Sequence, residues 1–215
     1  MIRLENITTR YFSSVSFEIK GGSACKIITS SDDEKTILLN TILGIRRPIS
    51  GRVFLLGKDI YSIPEKEYIK VLKRIGVVLE YGGIISNLKV WENIILSVWH
   101  HMGKRPRDVE ERVIEIFKEM GMDPSYLKEL MGRLPGPLPV YEKRLIGLVR
   151  AMLIEPDLII YDSIFEGLNP EMLERLTKLT EKFHLEKPGR TSIYISSNAL
   201  SIDSVKADQI LRLSN

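Results

Sequence analysis

Apolar positions along this chain follow two rhythms. At the start, "IRLENI" (Ile2–Ile7), "SVSFEI" (Ser14–Ile19) and "ACKIIT" (Ala24–Thr29) partly alternate apolar with polar residues, which predicts short strands. Gly21-Gly22 predicts the turn between the last two. The period then lengthens. Leu38, Leu39, Ile42 and Ile45 recur at offsets of three and four, predicting a helix over 35–44 with these residues on one face. "RRPISG" (Arg46–Gly51) predicts a loop, and "RVFLLG" (Arg52–Gly57) another strand. Pro64 opens a helical pattern over 64–75, and "GVVLEY" (Gly76–Tyr81) reads as a strand closed by Gly82-Gly83.

From Val90 to Leu130 the period is helical, broken by "GKRPRD" (Gly103–Asp108) and "GMDP" (Gly121–Pro124), so this stretch reads as a helical insertion. "RLPGPLP" (Arg133–Pro139) carries too many prolines for a helix interior. "YEKRLIGLVRAML" (Tyr141–Leu153) reads as a strong helix. "PDLIIYD" (Pro156–Asp162) is a continuous apolar run, the pattern of a strand buried on both faces. A helix over 170–184, the strand "TSIYIS" (Thr191–Ser196) and the strand "QILRL" (Gln209–Leu213) follow. Strands alternating with helices predict an α/β fold with a mostly parallel sheet.

Composition narrows the class. At 215 residues, with 44% hydrophobic and 27% charged residues, the chain suits one globular domain of one or two lobes. A net charge of +3 gives no argument for a nucleic-acid partner. Cys25 is the single cysteine, so no internal disulfide framework exists, and its apolar surroundings make it a core residue. The opening "MIRLENITTRYF" lacks the pattern of a signal peptide, and no run reaches the ~18 apolar residues of a membrane span. Work at a membrane would therefore need a partner that holds the protein there.

The candidate chemistry lies in "TSSDDEKTILLNTILG" (Thr29–Gly44). Lys35-Thr36 stands where a phosphate-binding loop ends, yet the expected glycines are absent and three acids precede the lysine. "IGVVLEYGGIISNLKVWENI" and "LPVYEKRLIGLVRAMLIEPDLIIYDSIFEGLNP" follow in order. With these segments the chain resembles the nucleotide-binding subunit of ATP-binding-cassette (ABC) transporters over nearly its whole length. The resemblance implies a P-loop NTPase (RecA-like) core with a mostly parallel sheet, an N-terminal antiparallel β part and a helical subdomain. The expected division is a RecA-like and β lobe at about 1–83 and 149–215, with the helical subdomain at about 84–148.

Against the family pattern, Thr29 and Glu34 occupy the two Walker A glycine positions, while Lys35 and Thr36 match. Glu80 replaces the Q-loop glutamine. Leu138, Pro139, Val140, Tyr141 and Glu142 replace the signature "LSGGQ". Asp162 matches the Walker B aspartate, Ser163 takes the catalytic glutamate position, Asn169 that of the D-loop aspartate, and Ser197 that of the switch histidine. His100, His101 and His184 read as ordinary surface residues.

If a nucleotide binds, the resemblance assigns it to Tyr11, Thr29, Ser30, Ser31, Asp32, Asp33, Glu34, Lys35, Thr36, Glu80 and Asp162, with Thr36 and Asp162 toward Mg²⁺. Tyr11 reads either as an adenine-stacking ring or as strand-edge packing, and Asp162 as a Mg²⁺ ligand or a structural cap. Two readings of the loop stay open. Ser31-Asp32-Asp33-Glu34 is a capping box with acids in the first helical turn, so the loop supplies its own anions; or it binds ATP and Mg²⁺ weakly.

The resemblance further implies a transmembrane permease as partner and dimerisation with itself or with another ABC ATPase subunit. It places the chain in the cytoplasm, peripheral on the inner face of the cell membrane. A groove over Glu80–Trp99 would receive the permease, and Trp91 and Trp99 read as core. A narrower similarity, to degenerate ABC subunits of mammalian-cell-entry type systems, points to lipid transport. With Ser163 and Ser197 at the catalytic glutamate and switch histidine positions, weak or absent hydrolysis and a scaffold or regulatory role on the permease are expected. The alternatives are a working ATPase subunit with atypical motifs and a soluble regulator without a permease.

Overall fold

A computed structural model describes residues 1–102 and 106–213. The antiparallel part comprises β1 (Ile2–Thr8), β2 (Val15–Ile19), β4 (Ser50–Leu55) and β5 (Lys58–Asp59), in the order β2-β1-β4-β5. The second sheet contains β3 (Ala24–Thr29), β6 (Ile75–Val78), β7 (Leu158–Asp162), β8 (Thr191–Ser196) and β9 (Gln209–Leu213). Its order is β6-β7-β8-β3-β9, with every pair parallel. Every residue of β7 and β8 is buried, because helices or the other sheet cover both faces.

The helices are α1 (Asp32–Ile42), α2 (Glu65–Leu72), α3 (Val90–Met102), α4 (Glu110–Glu119), α5 (Pro124–Met131), α6 (Val140–Leu153) and α7 (Pro170–Glu186). Side chains alternate across the parallel sheet, so its two faces feed two cores. Leu158, Ile160 and Ile193 pack with Leu38, Leu39 and Ile42 of α1 and with Ile2, Leu4 and Val53 of the antiparallel sheet. Ile159 and Tyr161 turn the other way, toward Ile94, Ile116, Phe117, Val149 and Phe183 of the later helices. Each such aliphatic side chain contributes about 1.5–3 kcal/mol by leaving water. Among the described residues no helix is long and apolar enough to cross a membrane.

Several expectations need correction. Helix α1 starts at Asp32 rather than Lys35, and ends before Ile45, which lies 69% exposed beyond Gly44 at φ +72°. Trp99 is 65% exposed and only Trp91 packs against the core, because eight residues on a helix leave the two side chains roughly 80° apart. His184 is half-buried, its Nδ1 3.0 Å from Ser192 Oγ, and burial lowers its pKa; His100 is exposed as expected. The surface assignment of His101's side chain and the break at 103–105 fall outside the described residues. Cys25 is fully buried, which pushes its thiol up to about 12.

Candidate functional site

The first turn of α1 is built by its own sequence. Ser31 caps the helix in extended conformation, its Oγ accepting the Glu34 N–H at 3.2 Å. Glu34, itself buried, closes the capping box one residue further back than the usual pattern, accepting the Ser30 N–H at 2.8 Å. Three acids in this turn favour the extra helix through the macrodipole. The consequence is a tightened loop. The N–H of Lys35 donates to the Ser31 carbonyl at 3.0 Å. None of residues 29–36 adopts a left-handed backbone, so the turn has no need of the missing glycines.

This turn lies over the carboxyl ends of β3, β6, β7 and β8, where parallel α/β sheets place ligands. Each strand end delivers a group. Lys35, with a side chain 2% exposed, donates to Glu80 Oε2 at 2.8 Å and to Ser163 Oγ at 2.6 Å, and lies 3.1 Å from Asp162 Oδ1. Burial alone would lower the lysine pKa. The Glu80 hydrogen bond and the Asp162 charge outweigh it and hold the ammonium above the ordinary value. For Asp162 burial wins instead, and its carboxyl stays raised although Lys35 opposes the shift.

Ser163 reaches Lys35 from a left-handed turn at φ +50°, a conformation costing roughly 1–2 kcal/mol outside glycine, while its N–H donates to the Ile195 carbonyl at 2.9 Å. Asp32 makes the last link. Its Oδ1 accepts from Ser197 Oγ at 2.7 Å and sits 3.3 Å from Lys35 Nζ. The Ser197 bond holds the Asp32 carboxyl below the usual carboxylate range, with Lys35 adding to it. Tyr11 Oη donates to Asp33 Oδ2 at 2.8 Å, and Arg10 lies 4.6 Å over the Tyr11 ring. Thr29 is buried, donating to the Ser31 carbonyl at 3.1 Å, while Ser30 and Thr36 are exposed.

The structure brings only some of the sequence-named residues together. Asp32, Lys35, Glu80, Asp162, Ser163 and Ser197 meet in one polar cluster. Leu138–Glu142 form another at the start of α6. Pro139 is the cap residue, Val140 and Tyr141 are exposed, and Glu142 is buried. Glu142 Oε1 accepts from Tyr126 Oη at 2.7 Å and Tyr141 Oη at 3.0 Å; the first bond pushes the Tyr126 hydroxyl up to about 12. Asn169 caps α7, accepting the Met172 N–H at 2.8 Å. Among the described residues no group of three or more His, Cys, Asp or Glu side chains is placed to hold a metal ion.

Two contacts that shape this segment carry no sequence signal. Arg144 Nε donates to the Glu80 carbonyl at 2.6 Å, and its NH1 to the Glu166 carbonyl, fixing the segment that aims Glu80. In the sequence it stands only as one residue of a helical run. Gly82 and Gly147 let that segment lie against α6, since a Cβ on Gly147 would meet the Gly82 carbonyl at 2.5 Å.

A loop-to-helix turn over a parallel sheet, with a lysine at the turn after β3 and an aspartate ending β7, with β8 between the two strands, defines the class of phosphate-binding-loop α/β folds. Residues 12–166 match the family model described as ABC transporter, and the chain belongs to that family. It is 27% identical over 195 residues to the methionine import ATP-binding protein MetN of Rhizobium meliloti, covering 91% of this chain and 52% of that protein. It is 24% identical over 210 residues to the intermembrane phospholipid transport system ATP-binding protein MlaF of Haemophilus influenzae, covering 95% and 77%. The chain thus spans about half the length of the first of these relatives and about three quarters of the second. Its fold matches the dimeric structure of MJ0796, a bacterial ABC transporter cassette, with TM-score 0.85, 21% identity, and coverage of 100% of this chain and 94% of that one.

Proposed function

We propose that this chain is a non-hydrolysing, scaffold or regulatory subunit of an ABC transporter. One observation carries the reading: the Lys35 ammonium, which would meet a phosphate, is already engaged by Glu80, Asp162 and Ser163. With Asp32 beside them, one cation faces three carboxylates, and each added like-charge contact at roughly 4 Å costs about 1–4 kcal/mol. A magnesium triphosphate does not fit this donor set, because the N–H groups of Ser30, Glu34 and Lys35 are also taken. The place of a water-orienting glutamate is held by Ser163, whose Oγ faces Lys35. Losing a general base removes ~10²–10⁴ in rate.

The mechanical role remains. A cavity of about 420 Å³ lined by Leu43, Ile45, Tyr68, Ile69, Leu72 and Ile154, among others, opens beside α2 and α6. Within the stretch Glu80–Trp99 only Ser97 lines it, so the docking surface is assigned next to that stretch. A short helix from a membrane-spanning permease is its proposed occupant, which would hold the chain on the inner face of the membrane. The division into a RecA-like and β lobe (1–83, 149–215) and a helical subdomain (84–148) belongs to this proposal. So does a dimer with itself or another ABC subunit. The similarity to MlaF favours lipid as the cargo class.

Steady-state phosphate release, from the purified chain and from the assembled transporter, tests the reading. No release above background is expected from the isolated chain, and none in the assembly that responds to Asp162→Asn. Turnover lost on Asp162→Asn would establish instead a working ATPase with atypical motifs.

A further inference from the structure

The acid at the first position of α1 does more than favour a helix N-terminus. An Asp32 serving only the macrodipole would face solvent, and its side chain is indeed 69% exposed. One of its oxygens nevertheless turns inward and bridges two groups, Ser197 Oγ at 2.7 Å and Lys35 Nζ at 3.3 Å. Ser197 follows β8 and lies 165 residues away along the chain. Its neighbours extend the link, because Ser196 Oγ donates to Glu166 Oε1 at 2.8 Å and Arg144 joins the Glu166 carbonyl to that of Glu80. Glu80 returns to Lys35 at 2.8 Å. The circuit runs through the segments after β3, β6, β7 and β8 and closes on Asp32.

We infer that Asp32 is an autoinhibitory latch: its carboxylate stands in for the terminal anionic group of a ligand, spanning Lys35 and Ser197. It keeps the crevice shut and the strand-end segments assembled with no ligand present. This inference rests on the reading of a site that does not take ATP, and assigns to Asp32 a share of the exclusion beyond that of Glu80 and Asp162.

Asp33 supplies the control. It carries the same charge one residue on, but its carboxylate is held by the Tyr11 hydroxyl and touches neither Lys35 nor Ser197. Both side chains are exposed, so Asp32→Ala and Asp33→Ala should each fold. Calorimetric titration of each variant and the unmodified chain with Mg-ATP reads the latch directly. Asp32→Ala is expected to bind at least ~5-fold more tightly than Asp33→Ala, the factor that one removed like-charge contact supplies at the solvent-exposed end of its range. Equal gains in the two variants, or no gain in either, would overturn the latch. Amide hydrogen exchange gives a readout independent of nucleotide. Exchange at 30–36 and 196–199 should quicken in Asp32→Ala and stay unchanged in Asp33→Ala, and unchanged exchange in both defeats the inference. Turnover by the unmodified chain would sink the proposed function while leaving this comparison of two variants intact.

Discussion

Lys35 at 2% exposure carries a charge that burial penalises, and its persistence depends on the carboxylates around it, the two least exposed being Glu80 and Asp162. Replacing it by methionine leaves Glu80 and Asp162 close together without a cation, a change expected to cost about 3–5 kcal/mol in urea denaturation. The pH dependence has a definite sign. The folded-state pKa of Lys35 is raised, so its contribution is complete below the unfolded value of roughly 10.4 and fades as pH rises through the folded one. The stability gap between the unmodified chain and Lys35→Met should stay constant from neutral pH to about 10 and narrow only above it. A gap that closes near neutrality would show that Lys35 is not held as described. Lys35 itself was legible from its place before a helical run. Its partner Ser163 was legible only as a missing glutamate, since a serine after a buried strand announces no contact.

Strand and helix patterns translated well where burial was complete. "PDLIIYD" and "TSIYIS" became β7 and β8, and "YEKRLIGLVRAML" became α6, because a run buried on both faces or a 3.6-residue period leaves few other folds. Boundaries set by polar residues were harder. The capping box was visible in Ser31–Glu34, yet the helix expected from 35 begins at Asp32, because that cap is satisfied and draws the acids into the helix. The close approach of Gly82 and Gly147 was invisible, as Gly82 announced only a turn and the two glycines lie far apart in sequence. It sets a test on the element scale. Gly147→Ala drives a methyl into the Gly82 carbonyl and should destabilise the fold by about 1–3 kcal/mol. The same shift should loosen Glu80, seen as faster amide exchange at 79–83. Destabilisation without local loosening would mean that α6 does not position Glu80.

On the scale of the whole molecule, the proposed permease contact can be tested at the exposed apolar side chains lining the cavity beside α2. Ile45 is 69% and Ile69 44% exposed, and both line that cavity. Ile45→Asp with Ile69→Asp should abolish co-purification with a polytopic membrane subunit while leaving the unfolding midpoint within a few degrees. Undiminished co-purification would move the docking surface elsewhere or remove the permease from the picture. The family was readable from the order of motifs, and the parallel sheet from its buried runs, because local periodicity and turn chemistry act between near neighbours. Only the tertiary structure decided that Asp32 meets Ser197, that Glu80 rather than a ligand meets Lys35, and that Trp99 faces outward. Those outcomes depend on which distant segments the sheet order brings within hydrogen-bond reach, and no periodicity along one chain encodes that distance.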